Sequence, residues 1–109
     1  MLSPQLTREI GSAMQSIFGE ELLSIVLYGS AARGEDTLES DVDLALFLRS
    51  PMTGQQFDRM AEWFAEAGLR HDLVFSPIDI EQAQFDRWVR VLPFYRNIQK
   101  EGILLWKAA

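Results

Sequence analysis

Residues 22–28, LLSIVLY, form an apolar run with the length of a buried strand, and the run stops at Gly29-Ser30. Twelve mostly small or polar residues (29–40) separate it from a second apolar segment, residues 41–48, in which Val42, Leu44, Leu46 and Leu48 share one strand face. Two strands so close in sequence must sit in a sheet, and the rest of the chain has to cover it. Ser3-Pro4 ahead of Leu6, Ile10, Met14, Ile17 and Phe18 predicts a capped helix that Gly19 stops. Phe57, Met60, Ala61, Phe64 and Ala65 predict a second helix from Thr53 to a close at Gly68.

A third short strand is expected around residues 73–75, ended by Ser76-Pro77. The stretch 80–99 is helical in pattern with a break at Pro93, and 103–106 reads as a last strand after Gly102. Strands alternating with helices predict an α/β (α+β) domain with helices packed on one sheet.

At 109 residues the chain has room for one domain, spanning 1–109. No apolar run approaches the roughly 20 residues that cross a bilayer, and no signal peptide is visible, so neither a membrane nor export is expected. The absence of cysteine excludes disulfides and thiolate metal sites and fits a reducing cytoplasm. A net charge of -6 argues against direct nucleic-acid binding, which needs a basic face to displace counterions. The charge is uneven: acids dominate residues 1–54, whereas 83–109 carry Arg87, Arg90, Arg96, Lys100 and Lys107 against Asp86 and Glu101.

Chemistry concentrates in Tyr28-Gly29-Ser30-Ala31-Ala32-Arg33-Gly34 and Ser40-Asp41-Val42-Asp43-Leu44. Carboxylates at i and i+2 of a strand share a face, with Cα atoms roughly 6.5–7 Å apart. An apolar strand does not bury two like charges together without a cation, and oxygen donors with no His or Cys nearby favour Mg²⁺ or Mn²⁺. Gly29 lets a ligand approach the backbone, Ser30 adds a hydroxyl and an N–H, and Arg33 offers a guanidinium to phosphate oxygens. Together these are parts for phosphoryl or nucleotidyl transfer. A third carboxylate would complete a two-cation site or deprotonate an incoming hydroxyl. Asp72, heading the third strand, is the favoured candidate, with Asp79 its competitor or an N-cap to the following helix. His71, the only histidine, reads as a surface or packing residue.

Gly29-Ser30, ten residues, then Asp41-Val42-Asp43 resembles the signature of the DNA polymerase β-like nucleotidyltransferases. The fuller strings, with Ile98-Gln-Lys-Glu-Gly-Ile-Leu-Leu-Trp near the end, are similar to their minimal members, the MNT or MntA-like antitoxins. The resemblance implies a small mixed sheet with helices packed on it. It implies that Gly29 and Ser30 hold the nucleotide triphosphate, that Asp41 and Asp43 bind Mg²⁺ and that Asp72 is the third acid; with Arg33 on the phosphates and two Mg²⁺ from the chemistry above, the expected catalytic and metal-binding set is Asp41, Asp43 and Asp72. It further implies transfer of AMP from ATP to a tyrosine of a HEPN-type ribonuclease toxin, AMPylation by the antitoxin of a toxin–antitoxin pair that forms a hetero-oligomer. The alternatives are an antitoxin that neutralises by binding alone and an adenylyltransferase acting on a small-molecule hydroxyl. Trp88, Phe94, Tyr95 and Trp106, interleaved with Arg87, Arg90 and Arg96, are the expected docking residues.

Overall fold

A computed structural model describes residues 2–35 and 41–109. Ser3 Oγ accepts the Leu6 N–H at 3.1 Å and Pro4 occupies the first turn, so α1 (Pro4–Phe18) begins where its capping residues direct. Leu6, Ile10, Met14 and Phe18 form its buried stripe. One 3₁₀ turn (Gly19–Glu21) leads to β1 (Leu22–Tyr28), and α2 (Gly29–Arg33) follows directly. After β2 (Val42–Leu48), Thr53 and Gln56 cap α3 (Gly54–His71) reciprocally, each side chain accepting the other's backbone N–H at 3.1 and 2.9 Å. β3 (Phe75–Glu81), α4 (Gln82–Trp88), α5 (Pro93–Glu101) and β4 (Ile103–Lys107) complete the order.

The sheet runs β3-β2-β1-β4 and is mixed: β1 is antiparallel to β2 and β4, while β2 and β3 are parallel. A parallel pair needs a crossover, which α3 supplies. Leu44, Ala45 and Leu46 of the inner strand β2 are fully buried because both sheet faces are covered. The leucines at 44, 46 and 48 pack with Leu27 against Met14 of α1 and Met60 and Phe64 of α3. Ala45 and Phe47 on the other face pack with Ile80, Phe85 of α4 and Ile98 of α5. No helix among the described residues is long and apolar enough to cross a membrane.

Three local expectations change. First, α3 continues past Gly68 to His71, whose Nε2 lies 3.5 Å from Glu9 Oε2 of α1 in a packing role. Second, Asp72 does not head a strand; it is the left-handed C-cap of α3, at φ 54°. Third, the third strand starts at Phe75 and runs through Ser76-Pro77 to Glu81, so Asp79 lies within it opposite Leu46 and Glu81 occupies the cap position before α4. Pro77 is tolerated because β3 is an edge strand, where a missing N–H costs no ladder bond on the open side.

Gly11 of α1 lies against Trp106 of β4: a Cβ there would come within 2.6 Å of the indole ring. Glycine inside a helix ordinarily costs about 1 kcal/mol relative to alanine, so this position is held by packing. Gly11→Val is expected to destabilise the fold by about 1–3 kcal/mol through overpacking, seen as a lower urea midpoint with an unchanged slope.

Candidate active site

The C-terminal end of β1 and the N-terminal ends of β2 and β3 meet at one edge of the sheet, because β1 opposes the other two in direction. Tyr28 is paired with Asp43 across β1 and β2, and Ser76 is paired with Asp43 across β2 and β3. The Val42 N–H donates to the Val74 carbonyl at 2.7 Å and holds the entry to β2 against β3. Strand alternation puts Asp43 on the face of Ala45 and Phe47, and Ser76 on that of Ile78 and Ile80. All four of those apolar residues belong to the cluster under α4 and α5. Asp41 is exposed just before β2, and its Oδ2 accepts a hydrogen bond from Ser76 Oγ at 3.0 Å.

Gly29 adopts φ +75°, a backbone conformation that side-chain-bearing residues disfavour. A Cβ at this position would fall onto Asp43 Oδ2. The bare backbone therefore lies directly against the carboxylate, and Ser30 follows in the first turn of α2. Partial burial, then the nearby Asp41 charge, hold the Asp43 carboxyl above its ordinary range. Burial, then Asp43, likewise raise the Tyr28 phenol.

The geometry thus brings Gly29, Ser30, Asp41 and Asp43 to one edge and adds Ser76. It does not bring Asp72 there. Asp72 lines a groove of about 600 Å³ with Phe57, Phe64, Leu73 and Phe75, on the α3 side of the sheet. Asp79 alternates with Pro77 and Phe75, and Phe75 packs into the cluster beneath α1 and α3. Among the described residues no three Asp, Glu, His or Cys side chains gather where they could hold a metal. Arg33 lines a hollow together with Gly29, and its guanidinium contacts Glu35 at 3.1 Å and Glu101 at 3.3 Å, tying α2 to α5. Ser76 escaped sequence reasoning because Ser-Pro was read as a strand end. The alternation Ser76, Ile78, Ile80 was the signal that places it beside Asp43.

These donors fit a hard divalent cation. They are oxygen atoms only, two of the groups are carboxylates, and burial first, then the Asp41 charge, disfavours the ionised Asp43 carboxyl, a cost that a bound cation would offset. The arrangement can hold a cation-bound phosphate chain beside the turn at Gly29-Ser30.

A Methanocaldococcus jannaschii protein named "Putative protein adenylyltransferase MJ0604" is 27% identical over 99 residues, 91% of this chain and 93% of that protein. A second from the same organism, "Putative protein adenylyltransferase MJ0141", is 27% identical over 74 residues, 68% of this chain and 75% of that one. Among solved structures, a toxin–antitoxin with AMP-PNP superposes with TM-score 0.63 at 16% identity, covering 98% of this chain and 75% of that one. A complex of tri-AMPylated Shewanella oneidensis HEPN toxin with MNT antitoxin gives TM-score 0.55 at 16% identity, covering 97% and 74%. Both share this fold. The model of the family described as "Polymerase beta, Nucleotidyltransferase" matches residues 13–109, and the chain belongs to that family of nucleotidyltransferases.

Proposed function

We propose that this chain transfers AMP from ATP to a tyrosine hydroxyl of a HEPN-type toxin protein, silencing it. The observation that carries the reading is the pair of carboxylates at the sheet edge, Asp43 lying against the bare backbone of Gly29. Support for a protein acceptor comes from the adenylyltransferase names of the two relatives, and for a HEPN toxin from the partners named in the superposing complexes.

Asp41 and Asp43 would hold Mg²⁺, which supplies charge neutralisation on the triphosphate and on the transferring phosphoryl group. Gly29 lets the Asp43 carboxylate lie against the turn into α2, and the Ser30 hydroxyl and N–H orient the phosphate chain. Ser76 fixes the direction of the Asp41 carboxylate through its hydrogen bond. The acceptor oxygen bonds to the α-phosphorus as the bond to pyrophosphate breaks. With Asp72 across the sheet, the acceptor proton leaves to water or to a group of the acceptor itself. Arg33 serves to brace α2 against α5.

Incubating the product of the neighbouring reading frame, expected to be a HEPN protein, with ATP, Mg²⁺ and the purified protein tests the reading by mass spectrometry. Mass added to a tyrosine in AMP units is expected; an unmodified toxin that is nevertheless inhibited would favour neutralisation by binding alone. Ser76→Ala is expected to weaken Mn²⁺ binding in the presence of ATP by roughly tenfold, as loss of a ligand-orienting hydrogen bond does. Isothermal titration checks this, with the melting temperature showing that the fold is retained.

A further inference from the structure

Four of the eight large hydrophobic side chains left exposed among the described residues, Trp88, Val91, Leu92 and Phe94, fall within residues 88–94. They form the connection between α4 and α5. The inner sides of these helices are already satisfied, with Phe85, Tyr95 and Ile98 packed on Phe47 and its neighbours. Trp88, Val91 and Leu92 lie outside both buried clusters, and Phe94 touches the rest of the chain at Tyr28 and Tyr95. Of the aromatic residues expected to dock a partner, Trp106 lies inward against Gly11 and Tyr95 is half-buried, which leaves Trp88 and Phe94.

The charge around this patch is opposite to that of the chain. Residues 86–100 hold Arg87, Arg90, Arg96 and Lys100 with one acid, Asp86, which accepts a hydrogen bond from Gln82 at 2.9 Å, while the net charge is -6. The Arg87 guanidinium lies 5.2 Å from the centre of the Trp88 ring, so the positive charge is held over the aromatic surface. The patch also reaches the sheet edge described above. Phe94 packs edge-on against Tyr28 at 5.6 Å, and a hollow of about 200 Å³ lined by Tyr28, Gly29, Phe94 and Asn97 joins the two.

We infer that the α4–α5 connection is the docking surface for the acceptor protein, whose matching face is apolar and rimmed with carboxylates. The inference rests on the proposed protein acceptor and deepens it. Apolar contact at Val91 and Leu92 supplies affinity, and the arginines supply steering and orientation. A partner seated there is carried past Phe94 and Tyr28 to Asp43, which turns docking energy into positioning of its hydroxyl.

The test uses the double variant Arg90→Glu, Val91→Asp with the HEPN protein expected from the neighbouring reading frame, and reads three quantities. MgATP binding is expected to stay within about twofold of wild type, and the melting temperature to hold, because both residues are exposed. Affinity for the HEPN protein is expected to fall by about 100-fold or more, with AMP transfer recovering as its concentration is raised. A variant that binds the HEPN protein as well as wild type overturns the docking surface and leaves the acceptor reading standing. A wild-type chain that binds MgATP but neither binds nor modifies the HEPN protein overturns both. A wild-type dimer that the variant dissolves, or tight wild-type binding of a single-stranded RNA oligonucleotide that the variant abolishes, would assign the patch to another occupant and overturn the inference.

Discussion

Asp43→Asn is expected to lower AMP transfer by on the order of 10³-fold, because it removes a charge that would meet a cation while keeping the size of the side chain. The same substitution is expected to stabilise the folded chain slightly at neutral pH. Burial and the Asp41 charge raise the Asp43 pKa in the folded state, so the native protein binds this proton more tightly than the unfolded chain. The resulting stability is present below the unfolded value, about 3.9, and is lost as pH rises through the folded pKa. At pH 7 the ionised group therefore costs stability, and removing it is expected to raise the melting temperature. Asparagine removes that cost at pH 7, and its advantage vanishes below about pH 4. Melting curves at the two pH values, beside transfer rates, separate this behaviour from simple misfolding, which would lower both stability and activity.

Gly29→Ala is expected to damage both stability and activity. At φ +75° an alanine costs about 1–2 kcal/mol in backbone strain, or roughly 5–10 °C in melting temperature. Its methyl group also falls on Asp43 Oδ2, so the carboxylate must turn away from the position it holds between Tyr28 and Ser76. Displacing a reacting group by about 1 Å costs roughly 100-fold, and transfer is expected to fall at least that far at temperatures where the variant is fully folded. Gly34→Ala makes the control, since it bears a similar φ of 72° and an added Cβ meets no atom of the described residues within 4 Å. It should lose stability to a comparable degree while retaining MgATP affinity. Comparing the two variants isolates the contact with Asp43 from the general penalty of a left-handed backbone.

The elements that could be read from the sequence were those whose determinants are local. Ser3-Pro4 and Thr53 mark helix starts through their own hydrogen bonds, and the Val42 to Leu48 alternation requires only that one strand face be buried. The Gly29-Ser30 and Asp41-Asp43 spacing was legible for a similar reason, since a strand end, a small-residue turn and a strand start keep their order on any sheet. The third strand was legible in its existence but not in its bounds or register. Its register depends on Pro77 lying at a sheet edge, and the position of β3 in the sheet appears nowhere in its own residues. That one shift carried Asp72 to a helix cap and put Ser76 opposite Asp43, so the expected three-carboxylate site became two carboxylates and a hydroxyl. The ion pair of Arg33 with Glu101 on α5 was not legible, because its partner is 68 residues away. The loop before Asp41 includes residues 36–40, which lie outside the described residues.

The most direct test of the carboxylate pair as a cation–nucleotide site is a titration of Mn²⁺ followed by electron paramagnetic resonance, with and without ATP, in wild type and Asp43→Asn. The expected result is an immobilised Mn²⁺ signal in the wild-type protein that strengthens with ATP and is lost in the variant. Equal Mn²⁺ and ATP binding by the two proteins, with the variant folded, would contradict the assignment of Asp41 and Asp43.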